Sequence, residues 1–449
     1  MYVWIIKRRI YYALKKDEEV KESMKVLLVS TFEGGYQPIS LATAHSALKK
    51  HEIETVILDT FVEGINEIKL KDADIVAISL PLFDSVQPGL ELSKLVKELN
   101  PDAHITFFGQ HSTIHSKRLV GRYGDTCIVG EWEKPIVEIA ESLQKDHYDL
   151  STIPGVVTEM HVQTNNIPHP LMSRDHFNVP ARENLPPLDK YPQKQIEKLI
   201  GSPQVVGSTE IARGCHHKCS YCSVFAAYDG KVILVPEDVI FQDVKNLVDM
   251  GMTHLTFIDA DFFNAKKHGV NMIRKLHETF PFLTYDFTTR VDHILENQEV
   301  IKEMSEMGVK FITSALEFPL QKVLDQVVKA FKVEEIDKAI SFIKTTGIQL
   351  NPTFIMYNPW IDLEDFVAFD EFVQRNELEN IIDPIQYETR LYLYKGSPLL
   401  NNPTIQELDL EEHEFHFEWK HRDPRVDELF LDNLTPAEEG IFKRCCLKC

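Results

Sequence analysis

The chain has 449 residues, 43% of them hydrophobic, enough for two or three domains with sizeable cores. Its 48 basic and 69 acidic residues leave a net charge of −21, which repels a phosphate backbone, and no basic run offsets it; a nucleic-acid partner is not expected. No stretch reaches the roughly 18 to 20 unbroken apolar residues that a membrane span needs, so no membrane partner is expected and a cytoplasmic location is. Residues 1–24 open on MYVWIIKRRIYYALKK, whose charges interrupt the apolar run rather than precede it, unlike a signal peptide. They are expected to form a short amphipathic lead-in helix.

From Lys25 the sequence alternates apolar β-type runs (KVLLVS, TVILD, DADIVAISL, HITFFG, DTCIVG) with helical patterns such as ISLATAHSALKKH and LELSKLVKELN. Near-continuous apolar strands between amphipathic helices predict a parallel sheet covered on both faces, a Rossmann-like α/β domain over residues 25–147. Ligands of such sheets bind at the carboxyl ends of the strands, which places Gly34, Gly35, His111 and Glu131 at the crevice. Ordinary tight turns, with His111 a polar loop residue, are the plain alternative. Residues 148–205, rich in Pro, Asn and Asp, read as a linker.

A second βα series runs over residues 206–400, beginning with STEIARG and ending with YETRLYLY. Six strands and their crossovers predict a partial (β/α)6 barrel with its site at the C-terminal strand ends. Residues 401–449 form a C-terminal extension. Its His413, His416 and His421 could ligate a metal, although an amphipathic segment packing its aromatics is the simpler reading.

Seven cysteines fall into two clusters, Cys215/Cys219/Cys222 and Cys445/Cys446/Cys449, with Cys127 alone. In a large chain without secretory signals, clustering points to metal or redox chemistry rather than disulfides. RGCHHKCSYC puts three thiols on one loop after the first barrel strand, a set that can hold three irons of a cubane and leave the fourth open. Zinc would need a fourth ligand, for which only His216 or His217 is near. The terminal RCCLKC sets three thiols beside Arg444 and Lys448, whose charge favours thiolates. Such a cup suits a second iron–sulfur cluster, zinc, copper(I) or trivalent arsenic; a frayed end or a resolving-thiol pair is the plain alternative.

The C-x3-C-x2-C loop, with Tyr221 before its third cysteine, resembles the radical S-adenosylmethionine (SAM) superfamily. Over residues 25–400 the domain order is similar to its cobalamin-binding-domain members. That resemblance implies a [4Fe–4S] cluster on Cys215, Cys219 and Cys222, and a SAM pocket lined by Tyr221, Asp259, Asp261, Arg290 and Glu317. Arg290 would meet the methionyl carboxylate and Glu317 a polar group of SAM, with flavodoxin or ferredoxin as electron donor. The plain alternatives make Asp259 and Asp261 helix caps and pair Glu317 with Lys322. Members that ligate cobalamin through histidine carry Asp-x-His-x-x-Gly after the first strand, where this chain has FEGGYQPIS. The departure counts against histidine-ligated cobalamin: the domain either binds cobalamin differently or keeps the fold without it. The methylthiotransferase branch carries three cluster cysteines in its N-terminal domain, where only Cys127 stands here, and is not expected.

The terminal RCCLKC further resembles the ArsL-like radical SAM enzymes of arsinothricin biosynthesis. This implies transfer of the 3-amino-3-carboxypropyl group of SAM to arsenite, held by Cys445, Cys446 and Cys449, to give hydroxyarsinothricin and methylthioadenosine. A cobalamin-dependent radical SAM methyltransferase is the alternative within enzymology; a non-catalytic thiol protein binding a metal or metalloid is the alternative outside it.

Overall fold

The computed structural model describes residues 24–145 and 149–434. The lead-in helix therefore falls, but for Met24, outside the described residues, as do Cys445, Cys446 and Cys449.

The first sheet contains β1 (Lys25–Ser30), β2 (Glu54–Asp59), β3 (Ile75–Ser79), β4 (His104–Phe108), β5 (Thr126–Ile128) and β6 (Val156–Thr158), in the order β2-β1-β3-β4-β5-β6. β1 to β5 are parallel, and helices such as Ile39–Lys50 and Val86–Leu99 bury apolar cores on both faces. The strands read as unbroken apolar runs because each faces a core on both sides. The strand order reverses between β1 and β3, and their loops open a crevice there.

β6 is the first difference from the sequence reading. It pairs antiparallel with β5 and extends the first sheet into residues expected to be linker. Only three residues long, it falls below any periodicity signal. The rest of the linker is stitched down rather than loose: Arg182, buried, donates from Nε and Nη2 to Asp243 at 2.6 and 2.9 Å, from Nη1 to Gln37 and from Nη2 to the Ser208 carbonyl.

The second domain has a five-stranded parallel sheet, β13-β12-β11-β10-β7. Its strands are β7 (Val206–Thr209), β10 (His254–Phe257), β11 (Thr284–Thr288), β12 (Val309–Glu317) and β13 (Gln349–Phe354). The segment STEIARG divides in two. After β7 the chain leaves the sheet as β8 (Ala212–Gly214), which pairs antiparallel with β9 (Val232–Leu234). The carboxylate of Asp259 enforces the break by accepting from the backbone N–H groups of Ile211 and Ala212. The sixth barrel position is reached by a single parallel bridge, Tyr357 to Arg390. Beyond it the chain forms β14 (Leu393–Tyr394), which joins β15 (Leu410–Glu412) and β16 (His416–Trp419) in a small antiparallel sheet. This sheet leans on the first domain: Phe415 enters its core beside His115 and Tyr123, and the Tyr123 hydroxyl donates to Glu414 at 2.6 Å. Among the described residues no helix is long and apolar enough to cross a membrane.

Candidate functional site

The C-terminal strand ends of both sheets face each other across the domain seam, and the loop between β8 and β9 lies there. Gly214 starts it at φ +89°, with a virtual Cβ only 2.1 Å from the Lys231 carbonyl, so no side chain fits. The loop then carries Cys215 and Cys219, both buried, and Cys222, half-buried, before the helix Ser223–Tyr228. Ser220 ties it to the carbonyls of Gln326 and Val327, and Ser397 donates to the Ser220 carbonyl. Two buried cations flank it. Arg290 donates from Nη1 to Cys219 Sγ at 3.4 Å, and Lys329 lies within electrostatic reach of the same sulfur. Without a metal, burial and the neighbouring Cys219 push the Cys222 thiol up to about 12. Three crowded thiols of this kind ionise together only around a cationic group, as a cluster provides. The donor set fits an iron–sulfur cubane.

Glu317 ends β12 at φ +62°, where the register between β12 and β13 slips. That strained backbone turns its carboxylate inward. It accepts from the Tyr221 hydroxyl at 2.6 Å and pairs with Lys329 at 2.7 Å, both charges buried. The surface pair with Lys322 is not formed, because Lys322 reaches Asp365 and Asp362 instead. Despite burial, Glu317 and the Cys219 sulfur hold the Lys329 ammonium above its ordinary range.

Tyr221 and Glu317 line a cavity that the first domain borders with Phe83 and His111, and the C-terminal segment with Tyr392 and Tyr394. Phe83 packs on Tyr392 at 3.9 Å between ring centroids and on His111 at 5.9 Å. His111 is thus a buried wall residue on a helix, not a polar loop residue, and neither ring nitrogen has a hydrogen-bond partner. Burial lowers its pKa to about 3, so it stays neutral.

A second cavity lies under the loops after β1, β3 and β4, lined by Gly34, Tyr36, Leu82, Gly109, Arg213 and Asp259 among others. Gly109, at φ +96°, lies so close to β3 that a Cβ would stand 3.0 Å from the Leu80 carbonyl. Glu131 does not offer itself to a ligand. It pairs with Arg213, which also binds Glu133 at 2.8 Å and Glu210 at 2.7 Å and stacks on Trp132 and Phe177.

Of the residues expected at a SAM pocket, the structure brings Tyr221 and Glu317 to the first cavity and sets Arg290 against the cluster loop. Arg290 is held there by a two-point pair with Asp292 at 2.9 Å. Asp259 lines the second cavity with its carboxylate engaged by two backbone amides, and burial raises its pKa to about 8. Asp261 turns toward His217 and His293; against the effect of burial, these and the Thr289 hydroxyl hold its carboxyl well below the usual range. In the C-terminal extension His421 is buried between the carbonyls of Asp423 and Ile361, while His413 and His416 stack at 4.7 Å beside Glu418. Lys329, Phe83, Tyr392 and Tyr394 were not anticipated; only the apolar character of LYLY hinted at any of them.

Residues 209–373 match the radical SAM superfamily and residues 25–140 match the B12 binding domain. The chain is thus similar to a B12 binding domain followed by a radical SAM domain. Among curated relatives, the hopanoid C-3 methylase of Methylococcus capsulatus is 24% identical over 355 residues, 77% of this chain and 66% of that protein. A ribosomal protein uS12 methylthiotransferase of Phocaeicola vulgatus is 24% identical over 54% of this chain and 58% of its own length. The chain thus spans just under two thirds of the first relative and less of the second. Among solved structures, the cobalamin-dependent radical SAM enzyme OxsB with aqua-cobalamin bound aligns with a TM-score of 0.70 at 16% identity, covering 92% of this chain and 66% of that one. The methyltransferase TsrM of Kitasatospora setae, with cobalamin and a [4Fe–4S] cluster, aligns with a TM-score of 0.64 at 16% identity, covering 79% and 73%.

These matches correct the weight given to FEGGYQPIS. The first domain has the B12-binding fold, and its second cavity, floored by Gly34 and Gly109, offers a large group close approach to backbone.

Proposed function

We propose that the chain is a cobalamin-dependent radical SAM enzyme of the methyltransferase type. The observation that carries this reading is the shared first cavity. Residues beside the cluster loop, Tyr221 and Glu317, and residues of the B12-binding domain, Phe83 and His111, wall one space. A group held by each domain would meet there.

Cys215, Cys219 and Cys222 would hold a [4Fe–4S] cluster, and the loops after β1, β3 and β4 would hold cobalamin. When bound, these cofactors supply reductive cleavage of a sulfonium carbon–sulfur bond and carriage of a one-carbon group. The chain's own side chains set the stage. Arg290 donates to Cys219 Sγ, and Lys329 places a second buried positive charge beside the loop. The Lys329–Glu317–Tyr221 chain fixes a polar edge on a mostly apolar cavity, where a polar group of SAM would be oriented. Phe83, Tyr392 and Tyr394 keep water from a reactive centre, and His111, neutral, adds no charge to it.

A second reading is favoured by the terminal RCCLKC. There the acceptor is arsenite on Cys445, Cys446 and Cys449, and the group moved is 3-amino-3-carboxypropyl, with the same cluster and SAM pocket. The two readings differ in the nucleoside left behind. Anaerobic incubation of the reconstituted protein with SAM, reductant and cobalamin, with and without arsenite, separates them. S-adenosylhomocysteine supports methyl transfer; methylthioadenosine with an arsenic–carbon product replaces it with the second reading. Absence of SAM consumption contradicts both.

A further inference from the structure

Beside the cluster loop, three side chains from three parts of the radical SAM domain converge. His217 lies between Cys215 and Cys219 on the loop, Asp261 follows β10, and His293 lies on the helix Val291–Glu296 after β11. Asp261 Oδ2 stands 2.9 Å from His293 Nδ1 and 3.3 Å from His217 Nε2, and all three atoms lie within 4.8 Å of one another. Apart from these ion pairs with one another, the three facing atoms have no hydrogen-bond partner, although all are shielded from solvent.

The other carboxylate oxygen is fully engaged. Asp261 Oδ1 accepts from the Thr289 hydroxyl at 2.8 Å and from the Phe263 N–H at 3.2 Å. This fixes the carboxylate so that Oδ2 alone faces the imidazoles, the outer-sphere arrangement that orients a metal ligand. The spacings agree with that use. Ligand atoms about 2.1 Å from a divalent ion stand roughly 3.0 Å apart at a right angle and roughly 3.4 Å apart at the tetrahedral angle. Two imidazoles and one carboxylate on one side of an ion, with open positions opposite, suit a first-row divalent metal.

We propose that His217, Asp261 and His293 form a second metal site, taking a divalent first-row cation and separate from the thiolate cluster. Bound there, the cation pins the cluster loop to the ends of β10 and β11, because His217 is the only one of the three on the loop. The site stands independently of the reaction assigned to the protein.

Manganese(II) is the probe: it is hard, so it leaves the thiolates alone, and its own spin signal separates free from bound ion. The titration uses full-length protein carrying its cluster in the oxidised, diamagnetic state. One bound manganese per chain is expected. Asp261→Asn and His293→Ala should weaken it at least tenfold, and Thr289→Ala by about tenfold through the outer sphere, with cluster absorbance retained. His416→Ala, at the exposed His413–His416–Glu418 group, should leave it unchanged. The proposal fails if the wild type binds no manganese, if Asp261→Asn and Thr289→Ala both titrate like the wild type, or if His416→Ala abolishes binding. The first of these outcomes would leave the three side chains as an ion pair only.

Discussion

The two cavities at the domain seam differ in what surrounds them. The first is walled mainly by aromatic and aliphatic side chains, with Asp84 and Arg390 also at its wall and one buried ion pair, Glu317 and Lys329, at its edge. The second is walled by glycine loops and apolar side chains together with more acid than base, Glu33, Glu210 and Asp259 against Arg213. A mostly apolar chamber with a fixed polar edge suits a reaction that must exclude water; a broad chamber with glycine at its contacts suits a large group held by its rim. On the proposed reading, chemistry and carriage are divided between these neighbouring spaces.

The largest effect that sharpens this division belongs to the cluster loop. Cys219→Ser should abolish the iron–sulfur absorbance and all SAM consumption while corrinoid binding at the second cavity persists, measured by anaerobic spectroscopy and gel filtration. Next, Glu317→Gln leaves the Lys329 charge buried without its partner. Chemical denaturation should show a loss of about 3 to 5 kcal/mol, and the KM for SAM should rise. Gly109→Val acts on the other chamber. The added side chain meets the Leu80 carbonyl and requires a φ that valine resists, so corrinoid should bind at least tenfold more weakly with the cluster intact. Equal effects of the last two substitutions on both ligands would break the division.

The smallest effect is one of pH. Burial raises the Glu33 carboxyl, on the second cavity, from 4.5 to about 7, with hydrogen bonds from Ser40 opposing. Between these values the unfolded chain has released a proton that the folded chain keeps. The stability from this group is therefore complete below 4.5 and lost as pH rises through about 7. Melting temperatures across that window should decline less in Glu33→Gln than in the wild type, by roughly 2 to 4 °C.

The order of the two domains and the cluster loop were legible because both rest on local signals. Apolar runs of five or six residues alternate with helical periods, and three cysteines share one loop. What escaped depends on distance along the chain. β6 has only three residues, and its pairing is decided by β5. STEIARG reads as one strand, but Asp259, nearly fifty residues away, accepts the amides that would continue it. Glu317 pairs with Lys329 rather than Lys322 because a positive φ turns it inward, which composition cannot reveal. His217 and His293 meet only after β10 and β11 align, and Tyr392 and Tyr394 become cavity walls only once the C-terminal sheet leans on the first domain.

On the proposed reading the first domain, similar to B12 binding domains, serves the chamber walled by Tyr221, Glu317, Phe83 and His111. The most direct test compares SAM consumption by the cluster-loaded protein under reductant with and without stoichiometric cobalamin, after the retained corrinoid has been counted. One corrinoid per chain, with sustained turnover to S-adenosylhomocysteine only in its presence, is the predicted result. Retention of no corrinoid, or equal turnover without it, would contradict the account.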